Sequence, residues 1–436
     1  MPTVIKQGID AEAFEAFLAA RREPAWLTAL RRAAWERFEA LPMPSQRDEE
    51  WMRTDIRLLH LDRFGLPGTA PTSEAPPPAL LAEGLDLAGA AATLNSRPAR
   101  VRLDPKWAAR GVLFGHLDDL LPEHGDRLRP YVERQVVEPG YDKFSALSAA
   151  CFSGATVLYV PRGVAVDAPF HVLAALSDGG VDLSRVVAVL EAGAEATLLT
   201  ETASATDQAA GFHCGAAELI LAPGANLRYV NLQHWGQGVW HFAHQKAVVD
   251  RGAQLQWTIG ALGSRLAKVN QHVELVGAGA ECQVNGVLFT EGKQHLSYHT
   301  LQHHAAPACR SDFLYKAALQ DQSRTVWRGM IKVDPRAQKT DGYQRNDNLL
   351  LSSQARADAI PGLEIEADDV RCTHGATTGR VDREQVFYAR CRGFTQREAV
   401  RMIVSGFFQQ VLDRITIESV REALGHAIAR RVREYS

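Results

Sequence analysis

A thiol and an imidazole lie two residues apart in the stretch from Val370 to Gly379, which reads VRCTHGATTG. In an extended strand, residues i and i+2 face the same side, so Cys372 and His374 could both reach one metal or cluster atom. Thiolate and neutral imidazole are ligands that iron and iron–sulfur clusters accept. Because two ligands do not complete a metal site, the pair predicts a site that is shared or transient. The alternative is a buried cysteine beside a hydrogen-bonded histidine.

Four histidines form a second candidate group, namely His295, His299, His303 and His304. On a helix the first three would share one face, as metal ligands can. The surrounding sequence, LSYHTLQ, is instead typical of a strand, where a four-residue spacing places successive side chains about 13 Å apart. We therefore predict a solvated or stacked row of histidines rather than a metal site.

Compact catalytic and nucleotide-binding motifs are missing from the sequence. The stretch VGAGA at 276–280 begins like a dinucleotide-binding loop, but the third glycine is replaced by Cys282 and no βαβ pattern surrounds it. There is no GxxxxGK[ST], GxSxG or HExxH motif. The sequence thus predicts no self-contained enzyme, and any ATP-driven step would need a separate ATPase chain.

The bulk composition excludes several classes of function. The chain has 436 residues, of which 46% are hydrophobic and 23% charged, with a net charge of −3. This gives no electrostatic basis for binding nucleic acid or an anionic membrane surface. No apolar run approaches the roughly 18–20 residues of a membrane span, and the first ten residues lack a signal pattern, so we expect a cytoplasmic protein.

The cysteines are scattered and form no CxxC pair, which argues against a structural zinc site or a disulfide framework. We expect most of them to be small buried side chains. The six are Cys151, Cys214, Cys282, Cys309, Cys372 and Cys391.

A glycine-centred pattern recurs through the middle of the chain at intervals of 30, 31, 28 and 27 residues. Its five glycines are Gly163, Gly193, Gly224, Gly252 and Gly279. A near-constant period of this length indicates a solenoid, in which each unit stacks on the next and glycine supplies a turn with positive φ. The residues on either side of each glycine form short apolar runs that are typical of strands. The repeat therefore predicts a coil of stacked parallel strands whose two ends need caps.

Helical patterns flank this repeat. Residues 1–150 are predicted to form a helical and mixed region, helical over 11–64, with a Pro-rich linker near 65–78. The β-helix core is assigned to 151–384 and a C-terminal helical region to 385–436, where Thr395 and Glu398 form a capping box. The two helical regions are candidates for the caps of the coil.

Several stretches together resemble one known family, the SufB/SufD scaffold proteins of iron–sulfur cluster assembly. They are DGYQRNDNLLL at 341–351, ADDVRCTHGAT at 367–377, QVFYARCRGF at 385–394, IVSGF at 403–407 and PMPSQRDEEWMRTD at 42–55. SufB proteins typically read EHEAT where this chain has THGAT at 373–377, and they usually carry an N-terminal cysteine cluster that is absent here. Both departures favour the SufD branch.

The resemblance implies a right-handed parallel β-helix flanked by helical regions, in a non-ATPase scaffold subunit that also supports iron acquisition. It implies pairing with SufB and docking of the ATPase SufC on the C-terminal helices, and it allows a homodimer when the chain is alone. The family's cluster-forming positions at the SufB–SufD interface correspond to Cys372 and His374. A transient iron–sulfur cluster or iron would be shared with SufB, and none is expected to stay tightly bound to the isolated chain.

Two other functions stay open at this point. One is a polysaccharide-active β-helix enzyme, which would need clustered acids or calcium ligands along one face of the coil, and the repeats show none. The other is a purely structural homodimer without metal chemistry.

Overall fold

A computed structural model describes residues 8–432, and the outermost residues of both predicted helical regions lie outside this range. Within it the chain is mainly β, with helices before and after a long array of strands. The strands form two sheets, each drawn from almost the whole length of the array.

Sheet 1 consists of ten strands, and its strands beyond the first pair are parallel. In spatial order they are β2 (Arg97–Leu103), β1 (Gly89–Leu94), β5 (Phe170–Leu176), β8 (Glu195–Ser204), β10 (Asn226–His234), β12 (Gln254–Ala261), β14 (Glu281–Thr290), β16 (Arg310–Leu319), β18 (Asp341–Leu350) and β20 (Arg371–Arg380).

Sheet 2 also has its antiparallel pair at one end, between β3 and β4. In spatial order it contains β19 (Arg356–Ile365), β17 (Arg324–Val333), β15 (His295–His304), β13 (Leu266–Leu275), β11 (Gly238–Val249), β9 (Ala210–Leu221), β7 (Arg185–Leu190), β4 (Thr156–Val160) and β3 (Leu113–His116), and the short β6 (Gly180–Asp182) also pairs with β9.

From β7 onward the chain alternates between the sheets, so each turn of the coil adds one strand to sheet 2 and one to sheet 1. The result is a β-solenoid of about eight turns, which confirms the fold class predicted from the glycine repeat. Strands on both sides of residue 150 belong to the same sheets, since β1 pairs in parallel with β5.

The repeated glycines occupy one corner of the solenoid. All five have positive φ, from 61° to 70°, and the N–H of each glycine donates to a carbonyl of the next turn, as Gly193 does to Pro223. The same ladder continues where the sequence repeat is lost, because Ala308 and Lys339 take the corner position with φ of 57° and 61°. The structural repeat is therefore longer than its glycine signature.

Eight α-helices surround the solenoid in the described part of the chain. Their bounds are α1 (Ala11–Ala19), α2 (Ala25–Ala40), α3 (Pro105–Ala108), α4 (Leu117–Glu133), α5 (Lys143–Cys151), α6 (Arg383–Cys391), α7 (Gln396–Leu412) and α8 (Glu418–Arg431). The capping box predicted at Thr395 is confirmed at the start of α7. The expectation of helix over 11–64 is wrong beyond Ala40, where prolines 42 and 44 end the helical pattern and turns follow.

The helices cover the flanks of the solenoid. One apolar core fills the lumen between the sheets, and a second joins α6–α8 to the outer face of sheet 1 through residues such as Phe408, Leu424 and Leu232. Helices α1, α2, α4 and α5 pack on the outer face of sheet 2. The C-terminal helices are therefore not an end cap, and within residues 8–432 no strand pairs with the outer edges of β19 and β20.

The segment after the Pro-rich stretch is anchored to sheet 1 by a buried carboxylate. Glu201 accepts hydrogen bonds from the backbone N–H groups of Leu80 (2.7 Å) and Leu81 (2.9 Å), and His171 lies 3.4 Å from it. Because an unpaired buried N–H is costly, this contact fixes the path of the chain along the solenoid. In the described range, every helix is too short or too polar to cross a membrane.

Candidate functional site

The predicted pair of ligands lies on β20, the last strand of sheet 1. Cys372 is paired in register with Gly342 and His374 with Gln344 on β18. The Sγ atom of Cys372 lies 3.3 Å from the point where a Cβ at Gly342 would stand. The missing side chain at Gly342 thus leaves room for the thiol.

Both side chains face the lumen of the solenoid at its open end. Cys372 packs against the small apolar cluster that contains Ile331 and Val333, while the amide of Gln344 donates to two backbone carbonyls inside the lumen. Since His374 is in register with Gln344, strand alternation turns it to the same side. Cys372 is half-buried and His374 is exposed, because no further turn of the solenoid covers them.

Side-chain contacts at both ends of β20 fix this edge strand. The guanidinium of Arg371 pairs with Asp341, and the hydroxyl of Thr377 donates to Asp347 at 2.7 Å. The Asp347 carboxylate is buried and also accepts from Arg345 at 3.0 Å. These contacts hold Cys372 and His374 in place although one edge of their strand is free.

The protonation of the thiol limits what the isolated chain can bind. Half-burial raises the pKa of Cys372 above its ordinary value, so the thiol is protonated at neutral pH. A metal must therefore displace this proton to gain the thiolate ligand. Across residues 8–432, no group of three or more His, Cys, Asp or Glu side chains is arranged to hold a metal ion.

The other cysteines and the histidine row match most of the sequence predictions. Four cysteines are buried, namely Cys151, Cys214, Cys282 and Cys309, while Cys391 at the end of α6 is exposed. His295–His304 is a strand, as predicted. His303 stacks on His272 with ring centroids 6.0 Å apart and lies 2.9 Å from Asp334, whereas His304 is buried inside the lumen beside Ser311.

A buried lysine, which no motif in the sequence singles out, lies on the outer face of sheet 2. The Nζ atom of Lys268 donates to the carbonyl of Glu50 at 3.1 Å and lies 2.9 Å from Nδ1 of His299. Its signal in the sequence is the alternation in β13, where Lys268, Asn270 and His272 are separated by lumen-facing residues. Burial lowers the pKa of Lys268 to about 7.

We expect Lys268→Met to change how stability depends on pH. Between pH 7 and the unfolded pKa of about 10.4, the folded chain binds fewer protons at Lys268 than the unfolded chain. The contribution of Lys268 therefore increases as pH rises through this window, by at most about 1.4 kcal/mol per unit. Denaturant unfolding at pH 7, 8 and 9 should show that the free energy of unfolding of wild type, relative to that of the variant, increases with pH. Parallel profiles would contradict the assignment.

A third feature is a group of exposed apolar side chains on the C-terminal helices. Phe387 and Tyr388 on α6 are 68% and 61% exposed, and Met402 on α7 is 52% exposed. Phe394 between the two helices is 42% exposed. Large aromatic side chains at this exposure are typical of a protein-binding surface.

Comparisons with known proteins cover nearly the whole chain. Residues 173–407 match the family described as SUF system FeS cluster assembly, SufBD core domain, and residues 13–172 match the SufBD protein N-terminal region. An iron–sulfur cluster assembly SufBD family protein of Mycobacterium leprae is 32% identical over 66% of this chain and 74% of its own length. SufD of Bacillus subtilis is 27% identical over 98% and 99% of the two chains. SufB of the same organism is 24% identical over 95% and 91%.

Proposed function

This chain belongs to the SufBD family of the SUF system for iron–sulfur cluster assembly, and from that premise we propose that it is a SufD-type scaffold subunit. In this role it holds a nascent cluster together with SufB and supports the supply of iron. The observation that carries the proposal is the position of Cys372 and His374 on a free edge strand, facing the lumen at the open end of the solenoid.

The assignment to SufD rather than SufB rests on local differences in the amino-acid sequence. Gly375 stands where SufB proteins typically have glutamate, and none of the six cysteines lies before residue 151. The B. subtilis relative named SufD aligns over almost the full length of both chains, although SufB of that organism is nearly as similar. The local differences, rather than overall identity, support the assignment.

SufB binds at the open end of the solenoid in this proposal. The outer edges of β19 and β20 present backbone N–H and C=O groups that a partner strand can pair with. On β19, Leu363 and Ile365 are 39% and 37% exposed and stand in register with the buried Ile331 and Val333, so they end the apolar lumen. A partner that continues the sheets would cover these side chains and bring its own ligands to Cys372 and His374.

SufC binds through the exposed apolar side chains of α6 and α7, including Phe387 and Met402. The chain has no nucleotide-binding motif, so SufC is the subunit that hydrolyses ATP. The resulting movement of SufC presses SufB against the open end of the solenoid. The cluster is the cargo of this assembly. Cys372 loses its proton as it becomes a thiolate ligand, and His374 contributes an imidazole nitrogen.

Two substitutions should separate the two partners. We expect Leu363→Arg, when co-expressed with SufB and SufC, to reduce the SufB that copurifies while SufC is retained, because a charge at the end of the lumen opposes sheet continuation. We expect Phe387→Arg to have the opposite selectivity. Affinity purification followed by quantification of each subunit measures both effects.

Val276→Arg is the matched control, because Val276 is 38% exposed, like Leu363, but lies between β13 and a turn on the side of the solenoid. It should retain both partners. Full retention of SufB by Leu363→Arg would refute the proposed interface. Recovery of a second copy of this chain in place of SufB would favour the homodimer.

A further inference from the structure

A cleft of about 410 Å³ lies on the outer face of sheet 2, away from Cys372 and His374. Its floor is formed by side chains that point outward from β11, β13, β15 and β17, and its opposite wall includes Glu50, Glu138 and Tyr141 from the segments that cover the sheet. This volume is within the range of small-molecule sites.

Polar atoms inside the cleft lack partners. The Nε2 atom of His272, the Oδ1 atom of Asn270 and the Nδ1 atom of His244 are buried and make no hydrogen bond. A buried polar atom without a partner is costly, so such atoms are normally paired with protein, water or ligand. Asn270, His272 and His244 also line the cleft, so a polar occupant would supply the missing partners if these side chains turn toward it.

The charges that act most strongly on two histidines of the floor are positive. Burial and the nearby Lys246 lower the pKa of His272 to about 3, and burial together with Lys268 and Arg328 lowers that of His299 to about 2. Both imidazoles are thus neutral and sit in a positive local potential.

The carboxylates that pair with Arg328 and Lys332 lie on the exposed side of the cleft, whereas Glu50 and Glu138 belong to its wall. Arg328 is paired with Glu49 at 2.7 Å and Lys332 with Glu364 at 2.9 Å, and the two carboxylates are 77% and 50% exposed. The cations are less exposed, at 24% and 34%. Because exposed ion pairs contribute little to stability, an entering anion can replace these carboxylates at small cost.

The floor between the charged and the unpartnered groups is apolar. Leu301 and Met330 lie in register on β15 and β17, in the same row as His272 on β13. Met330 stands between Arg328 and Lys332 along β17. An occupant that spans the cleft therefore contacts a cation at one end, an apolar surface in the middle and an imidazole at the other end.

We propose that this cleft binds a small organic anion, a phosphate or carboxylate, whose charged group is held by Arg328 and Lys332 and whose apolar body lies on Leu301 and Met330. The polar end opposite the charge hydrogen-bonds to Asn270 and His272. This site is separate from the proposed cluster ligands and does not depend on their role.

Isothermal titration of the full chain with phenyl phosphate, inorganic phosphate and phenol tests this proposal. Phenyl phosphate should bind with one-to-one stoichiometry and about tenfold more tightly than inorganic phosphate, a difference of 1.4 kcal/mol, because it adds the apolar contact. Neutral phenol should not bind measurably. Absence of binding by both phosphates at millimolar concentration would overturn the proposal.

Three variants complete the test. Arg328→Gln should weaken phenyl phosphate binding by about tenfold or more, and Leu301→Ser should remove the preference for phenyl phosphate over inorganic phosphate. Lys293→Gln, which removes an exposed lysine from a turn outside the cleft, should bind as wild type does. Unfolding midpoints without ligand verify that each variant is folded. Equal affinity of wild type and Arg328→Gln would show adventitious binding and refute the site.

Discussion

Replacing His374 by alanine is expected to lower the iron and sulfide retained by the complex with SufB and SufC by about tenfold or more. Changes around a metal site typically cost 10- to 100-fold in metal affinity, and loss of a ligand should cost at least as much. The side chain is exposed on a terminal strand, so the variant should fold and assemble normally. Iron and acid-labile sulfide per complex, measured after anaerobic co-purification, give the result.

Thr373→Ala is the matched control, because Thr373 lies on the same strand, is exposed and points to the opposite face. It should leave the cluster content unchanged. Cys372→Ser distinguishes a ligand from a buried thiol, since only a ligand role makes this small replacement lower the iron content. Wild-type cluster content in His374→Ala would disprove the proposed site.

Replacing Arg31 by methionine is expected to destabilise the chain by about 3 kcal/mol, the lower end of the cost of breaking a buried ion pair, because Glu23 keeps a weaker contact with Arg21 at 3.7 Å. Arg31 is 1% exposed on α2. Its guanidinium makes two 2.7 Å bonds to Glu23 and donates to the carbonyls of Ala150 and Phe152 at the end of α5. Denaturant unfolding monitored by circular dichroism measures the loss.

A neighbouring ion pair provides the control for this prediction. Arg32 on the same helix pairs with Glu15, but both side chains are at least half exposed. Arg32→Met should therefore have little effect on the unfolding midpoint. Arg31→Met combined with Glu23→Gln should recover part of the lost stability, because the second change removes a buried charge that only Arg21, at 3.7 Å, still balances. Equal midpoints for Arg31→Met and Arg32→Met would contradict the buried-pair argument.

Some features of the fold were predictable because they depend on local backbone requirements. Gly163 to Gly279 recur because one corner of each turn needs positive φ, and the capping box at Thr395 satisfies N–H groups within one helical turn. The glycine pattern does not extend to Ala308 and Lys339, although both occupy the same corner with positive φ. Their backbone is held there by hydrogen bonds to the neighbouring turn rather than by the choice of residue.

Other features were hidden because they depend on contacts between distant segments. Arg31 interrupts an otherwise apolar stripe of α2, and nothing near it in sequence shows that Ala150 and Phe152 would accept its hydrogen bonds. Lys268 and His272 alternate with lumen residues on β13, but only the covering segment near Glu50 buries the lysine and shapes the cleft.

A β-solenoid with helical flanks, and a strand with Cys372 and His374 on one side, could be predicted from the sequence, because period and alternation are properties of neighbouring residues. The position of that strand in the molecule follows from how the distant elements pack. The C-terminal helices pack on the flank of sheet 1 rather than over its end, which leaves the edges of β19 and β20 free. An exposed edge and an open lumen arise from how distant elements pack, and no local pattern encodes them.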